Sequence, residues 1–283
     1  MTISLADLTT QETPTWCPGC GDHTILASLK NALAELVIDP KDVVIVSGIG
    51  CGSKIPHYVK TYGFEGLHGR GLPVAMGIKL ANPTLTVIAI SGDGDTYGIG
   101  GNHFMHTMRR NLDIVHIVQD NQVYGLTKGQ YSPTSKKGFK SPSSPHGALE
   151  TPVNPLALAL TMGASYVARG YALNVSQLKE LFVDALNHKG YAFVDVLQPC
   201  VNYNRANTPQ WYQENTQVLQ GNDPANWDEA MKLARRTDKL PLGLFFKEDR
   251  PTYDGEVSVY EKGVPATRDI SNIDLSMMLK HYV

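Results

Sequence analysis

The chain has 283 residues, 42% of them hydrophobic and 18% charged, the latter below the roughly 25% usual in soluble domains. Lys+Arg number 25 and Asp+Glu 27, a net charge of -2. That balance excludes a disordered polyelectrolyte and gives no support to broad electrostatic binding of nucleic acid. The length predicts one large domain or two small ones, with ample core.

No stretch reaches the roughly 20 apolar residues of a membrane span. The longest charge-free region, 151–168, carries Pro152, Asn154, Pro155 and Gly163. The first residues have neither a basic start nor an apolar run, so no secretory signal is expected and a cytoplasmic location is.

In chain order, residues 1–14 read as a polar arm. Apolar residues at helical spacing predict a helix from Asp22 to Val37, with Asp22 as N-cap. The run Val43 to Val46 predicts a buried strand that ends in the turn Gly48-Ile49-Gly50-Cys51-Gly52. A helix follows over Pro73 to Leu80. A second strand, Thr86 to Ile90, ends at Ser91-Gly92-Asp93-Gly94-Asp95. After a helix around Asn102 to Arg110, a third strand, Ile114 to Val118, ends at Gln119-Asp120-Asn121. Residues 130–155, rich in Pro, Ser, Gly and Lys, read as a long surface loop of the kind that carries function. Ser176 to Lys189 has a helical apolar face and stops at Gly190. Ala192 to Leu197 is a fourth strand, ending at Pro199-Cys200. A helix is expected over Trp227 to Arg236, and the rest reads as a wrapping tail.

Apolar strands alternating with helices predict an α/β fold, a mostly parallel sheet with helices on both faces. Ligands of such sheets collect at the carboxyl ends of the strands. Here those ends carry Cys51, Asp93, Asn121 and Cys200, so the chemically interesting residues fall on one edge.

The turn Gly92-Asp93-Gly94 allows close backbone approach to a phosphate, and its carboxylate can hold a divalent cation that bridges phosphates. Asn121, separated from Gly94 by 26 residues, supplies an amide oxygen. A backbone carbonyl such as that of Val123 would add a third hard ligand, a set that suits Mg²⁺. No G-x-x-x-x-G-K-[ST] or G-x-G-x-x-G run is present. Cys17-Pro18-Gly19-Cys20 places two thiols on a tight loop, while Cys51 and Cys200 come from distant turns. Four thiolates can hold zinc or a [4Fe-4S] cluster, and the residues alone leave both open. His103 and His106, spaced i, i+3 on a helix, read as packing or surface residues.

Taken together, these motifs become recognisable. Gly92-Asp93-Gly94 followed by Asn121 resembles the thiamine diphosphate motif. The runs from Thr15 to Gly21, Gly48 to Cys51, His68-Gly69-Arg70, Tyr124 to Gln130 and Leu197 to Cys200 resemble the β subunits of 2-oxoacid:ferredoxin oxidoreductases, in particular the two-subunit 2-oxoglutarate type. The resemblance runs from about residue 14 to residue 252. It departs at Gly52, where many members carry serine; this bears on hydrogen bonding around a cluster, not on ligation.

The resemblance implies a thiamine diphosphate-binding domain over 15–205 and an extension, 206–283, that wraps the domain or a partner. Cys17, Cys20, Cys51 and Cys200 would ligate one [4Fe-4S] cluster. Asp93, Asn121 and the Val123 carbonyl would hold Mg²⁺. Gly92, Gly94 and Asp95 would shape the diphosphate turn, with Gly50, Gly52, Ser53 and His68 on one side and Tyr124, Gly125, Leu126 and Thr127 on the other. His68, Arg70, Lys54, Thr127 and Lys128 would serve the substrate. The implied reaction is reversible oxidative decarboxylation of a 2-oxoacid, 2-oxoglutarate or pyruvate among the candidates. Coenzyme A takes the acyl group, and electrons leave through the cluster to ferredoxin. The glutamate that activates thiamine is implied on an α subunit, in an αβ or (αβ)2 assembly. Two rivals are a non-redox thiamine decarboxylase with a zinc site and a non-catalytic subunit that bears a cluster.

Overall fold

The computed structural model describes residues 2–271 and 274–282. Its helices are α1 (Asp22–Glu35), α2 (Ile55–Tyr58), α3 (Gly71–Ala81), α4 (Gly101–Arg110), α5 (Pro155–Thr161), α6 (Val175–Asn187), α7 (Pro209–Asn215) and α8 (Trp227–Ala234), with two short ones, α9 (Tyr253–Glu256) and α10 (Ser276–Leu279), in the tail. Eight strands form one sheet in the order β2-β1-β3-β4-β8-β7-β10-β9. They are β1 (Val43–Ser47), β2 (Tyr62–Glu65), β3 (Thr86–Gly92), β4 (Ile114–Asp120), β7 (Tyr166–Tyr171), β8 (Tyr191–Leu197), β9 (Thr216–Val218) and β10 (Leu240–Lys247). A separate hairpin pairs β5 (Val123–Tyr124) with β6 (Gln130–Tyr131). Among the described residues, the one antiparallel pairing within the large sheet is β10 against β7, and β9 runs parallel to β10. The expected α/β class, mostly parallel with covered faces, is therefore what the chain adopts.

Both faces are covered because successive residues of the central strands point to opposite sides. Val43, Ile45, Ile88, Ile90 and Ile117 pack into one core with α1 and α6. Val44, Val46, Val87, Ala89 and Val118 pack into the other with α3, α4, α5 and α8. The strands β1, β4 and β8 are buried along their whole length.

Several elements escaped the sequence reading. In β7, Arg169 and Gly170 interrupt the apolar pattern, and in β10 Pro241 and Gly243 do. Arg169 sits in the sheet because Asp195 of β8 pairs with it at 2.8 Å. Gly243 has φ +138° beside the register shift between Leu244 and Phe246, where a bulge suits glycine. Asp22 does not cap α1: Gly21 holds the N-cap position, and Asp22 is fully buried in the first turn, accepting a hydrogen bond from Cys20. The 130–155 segment is no simple surface loop, since Ser132, Thr134 and Ser135 are buried.

Candidate active site

The loops after β1, β3, β4 and β8 meet at one edge of the sheet. Asp95 ties three segments together there. Its buried Oδ1 accepts the Ile49 N–H at 2.8 Å, the Gly69 N–H at 2.7 Å and the His68 ring at 2.6 Å. Gly48 has no side chain because a Cβ there would run into that carboxylate. Residues Gly94–Ile99 continue as a π-helical turn into α4, a distortion common at functional sites. Tyr97 anchors the turn by donating to Asp195 at 2.8 Å.

Asp93 is 2% exposed. Ser132 and Thr134 both donate to its Oδ2, at 2.5 and 2.7 Å, which leaves the second oxygen for a cation. Burial pushes its carboxyl up to about 6, against the two hydroxyls that pull it down. Thr134 also stands 2.7 Å from Asp120. One hydroxyl hydrogen cannot serve both carboxyls. Burial, and then the charges of Asp195 and Asp93, push the Asp120 carboxyl well above the usual carboxylate range. Asn121 Oδ1 accepts the Val123 N–H at 3.1 Å, an Asx turn that leads into the β5–β6 hairpin.

These loops enclose a cavity of about 130 Å³. Of the residues expected at the cofactor, Gly50, Gly52, His68, Gly92, Asp93, Gly94 and Asp95 line it from one side. Asn121, Val123, Tyr124, Gly125, Leu126 and Thr127 line it from the other. Ser53 is fully buried behind this wall and its hydroxyl has no partner among the described residues. Lys54 lines the neighbouring cysteine cavity, with its Nζ donating to Thr15 at 3.1 Å. Arg70 and Lys128 lie outside the wall. Arg70 is held by His103. Lys128 is exposed at φ +78° in the turn of the hairpin. The sequence reading missed Ile49 and Gln119 on the wall, and the Ser132–Thr134 support of Asp93.

Cys17, Cys20, Cys51 and Cys200 are free and half-buried, and all four line a second cavity of about 200 Å³. A Cβ on Gly125 would stand 3.6 Å from the sulfurs of both Cys51 and Cys200. Asn202 donates to Cys17 Sγ at 2.9 Å and Gln198 to Cys20 Sγ at 3.5 Å. Burial, followed by the Asp22 charge, pushes the Cys51 thiol up to about 11. Burial also raises Cys20 and Cys200. Among the described residues, no three His, Cys, Asp or Glu side chains stand at the spacing of ligands to one ion. Cys51, Asn121, Gly125 and Leu126 line both cavities, so the two share a wall.

Residues 48–196 match the family described as thiamine pyrophosphate enzyme, C-terminal TPP binding domain. Residues 200–262 match the family that describes the C-terminal part of the pyruvate ferredoxin oxidoreductase beta chain. A 2-oxoacid:ferredoxin oxidoreductase subunit beta from Sulfolobus sp is 46% identical over 260 residues, spanning 86% of this chain and 85% of that one. The chain belongs to the 2-oxoacid:ferredoxin oxidoreductase β subunits. Another β subunit of this family, from Aeropyrum pernix, is 50% identical over 246 residues, covering 82% of this chain and 77% of that protein. A solved 2-oxoglutarate:ferredoxin oxidoreductase from Magnetococcus marinus, with 2-oxoglutarate, coenzyme A and succinyl-CoA bound, is also similar. It superposes with a TM-score of 0.92 at 36% identity, over 99% of this chain and 96% of that one. This oxidoreductase β subunit is thus one part of an enzyme and works with a partner subunit, and its thiamine diphosphate domain contains the edge just described.

Proposed function

We propose that this β subunit joins an α subunit to oxidise 2-oxoglutarate to succinyl-CoA and CO2, reversibly, passing electrons through one [4Fe-4S] cluster to ferredoxin. The observation that carries the reading is the shared wall: the diphosphate cavity and the four-cysteine cavity abut at Cys51, Asn121, Gly125 and Leu126. A reaction centre and an electron exit then lie side by side. When bound, thiamine diphosphate supplies the carbanion and electron sink, the cluster supplies one-electron transfer, and coenzyme A accepts the acyl group.

The residues present fit these groups. Asp93, the Asn121 amide oxygen and the Val123 carbonyl would hold Mg²⁺ on the diphosphate, with the Ser132 and Thr134 hydroxyls orienting Asp93. Cys17, Cys20, Cys51 and Cys200 would hold the cluster, and Asn202 and Gln198 would donate to its sulfur ligands. His68, steered by Asp95, presents its ring to the cavity. Thr127 lines the same cavity, and Lys54 supplies a cation beside the shared wall. These three are the candidates for the substrate carboxylates; the positions of Arg70 and Lys128 give them no such support.

A zinc site is the weaker reading. Tetrahedral zinc, with sulfur about 2.3 Å from the metal, draws thiolates to roughly 4 Å of each other. A cavity of about 200 Å³ suits a polynuclear cluster better.

The test is anaerobic co-purification with the α subunit, followed by iron, sulfide and thiamine analysis. About four irons and one thiamine diphosphate per αβ pair, with bleaching on 2-oxoglutarate and coenzyme A, is the expected result. Zinc in place of iron would remove the electron-transfer reading. Bleaching with pyruvate alone would shift the substrate.

A further inference from the structure

Gln119 is the penultimate residue of β4, two residues before Asn121, paired in register with Gly92 of the diphosphate turn. It is 1% exposed, and neither its Oε1 nor its Nε2 has a hydrogen-bond partner among the described residues. It lines the diphosphate cavity together with Gly52, and neither residue lines the cysteine cavity. A Cβ on Gly52 would overlap the Gln119 amide, so the bare backbone at 52 makes the room that this amide occupies. A buried amide with both ends idle is costly and calls for an explanation.

The other polar side chains of the wall show what the amide is for. Asp95 Oδ1 is engaged by two backbone N–H groups and the His68 ring. The Tyr124 hydroxyl donates to the Gly94 carbonyl, and the Thr127 hydroxyl donates to Gln130. The Asn121 oxygen accepts from Val123. Two carboxylates, Asp93 and Asp95, already face this cavity. An anionic group there needs donors, and the Gln119 Nε2–H is a buried side-chain donor with nothing yet to donate to. We infer that Gln119 is a cofactor-contacting residue, its Nε2–H donating to a phosphate oxygen of the diphosphate cofactor. This rests on the thiamine diphosphate site proposed above.

The experiment uses the αβ complex stripped of thiamine diphosphate. It measures cofactor affinity by equilibrium binding at saturating Mg²⁺, and the melting temperature of the stripped complex. Gln119→Met keeps the size and removes the donor. It should weaken binding roughly 10-fold or more, the usual loss for a hydrogen bond to a charged group, while leaving the melting temperature equal or higher, because an idle buried amide is gone. Gln119→Glu should weaken binding further by placing a carboxylate against the phosphates. Gly52→Ala should displace the amide and cost a similar factor in affinity. Binding by Gln119→Met within twofold of the parent would overturn the inference. So would parallel falls in affinity and melting temperature, which mark a packing role. Failure of the parent to bind thiamine diphosphate would instead remove the site reading itself.

Discussion

His116 lies at the centre of β4 with no solvent exposure. Its Nδ1 is 2.6 Å from the Tyr191 hydroxyl and its Nε2 3.2 Å from Ser91, whose oxygen is 2.6 Å from Thr96 at the start of the π-helical turn. Burial lowers its pKa to about 3. Between about pH 6.5 and pH 3 the unfolded chain therefore binds a proton that the folded chain refuses. The stabilisation is fully present above about pH 6.5 and is lost as pH falls toward 3, with an upper limit of about 5 kcal/mol. Urea unfolding across that range should show stability falling with acid, and His116→Asn should flatten the slope. An unchanged slope would mean that other groups dominate. At Gly48, alanine should displace the Asp95 carboxylate and release Ile49, Gly69 and His68 together. A loss of about 2 kcal/mol or more is expected, read by denaturant titration, with weaker cofactor binding.

At the scale of elements, the π-helical turn 94–99 depends on strands far away in sequence. Tyr97 reaches Asp195 of β8, and Asp195 pairs with Arg169 of β7. Asp195 is fully buried and Arg169 is nearly so. Asp195→Ala leaves the guanidinium buried without its partner and should destabilise by about 3–5 kcal/mol. Tyr97→Phe removes one hydrogen bond and should cost about 1–2 kcal/mol. If both variants unfold at the parent's urea midpoint, the anchor carries no energy. The β5–β6 hairpin is fixed in a similar way by contact across elements. The Tyr124 ring fills the space above Gly94, and a Cβ at 94 would collide with it.

At the scale of the whole molecule, the cofactor edge is rimmed by exposed apolar side chains. Leu67 is 77%, Ile99 54% and Leu126 47% exposed. Ile99 packs over Gly69 beside His68, and Leu126 lines both cavities. Apolar side chains clustered at the mouth of a site suit a surface that a partner covers, in keeping with the reading that the thiamine-activating glutamate lies on the α chain. We predict that this chain alone has no turnover with 2-oxoglutarate, coenzyme A and a viologen acceptor, and that adding the α subunit restores it. Turnover by the isolated chain would refute the shared site.

Much of this was legible locally. Mostly apolar runs without strict alternation marked β1, β3, β4 and β8, because strands buried on both faces need no polar alternation. Their ends named Cys51, Asp93, Asn121 and Cys200, because a parallel sheet puts every such end on one edge. The strands β7 and β10 were not legible. Arg169 is tolerated only because Asp195 faces it from the next strand, and Pro241 and Gly243 only because the bulge accommodates them. Nor was the true place of Arg70 and Lys128, since one is drawn to His103 across a helix and the other is held in a hairpin turn.

Residue order is enough to specify the α/β class, through periodicity, the family, through the resemblance its motifs carry, and the strand ends that share one edge of a parallel sheet. Three-dimensional packing was needed to show that Asp95 is a clamp for three loops, that Asp22 turns to Cys20 instead of capping α1, and that Gln119 fills the space above Gly52. Each of these depends on which distant side chain shares a buried volume, and residue spacing along the chain does not carry that information.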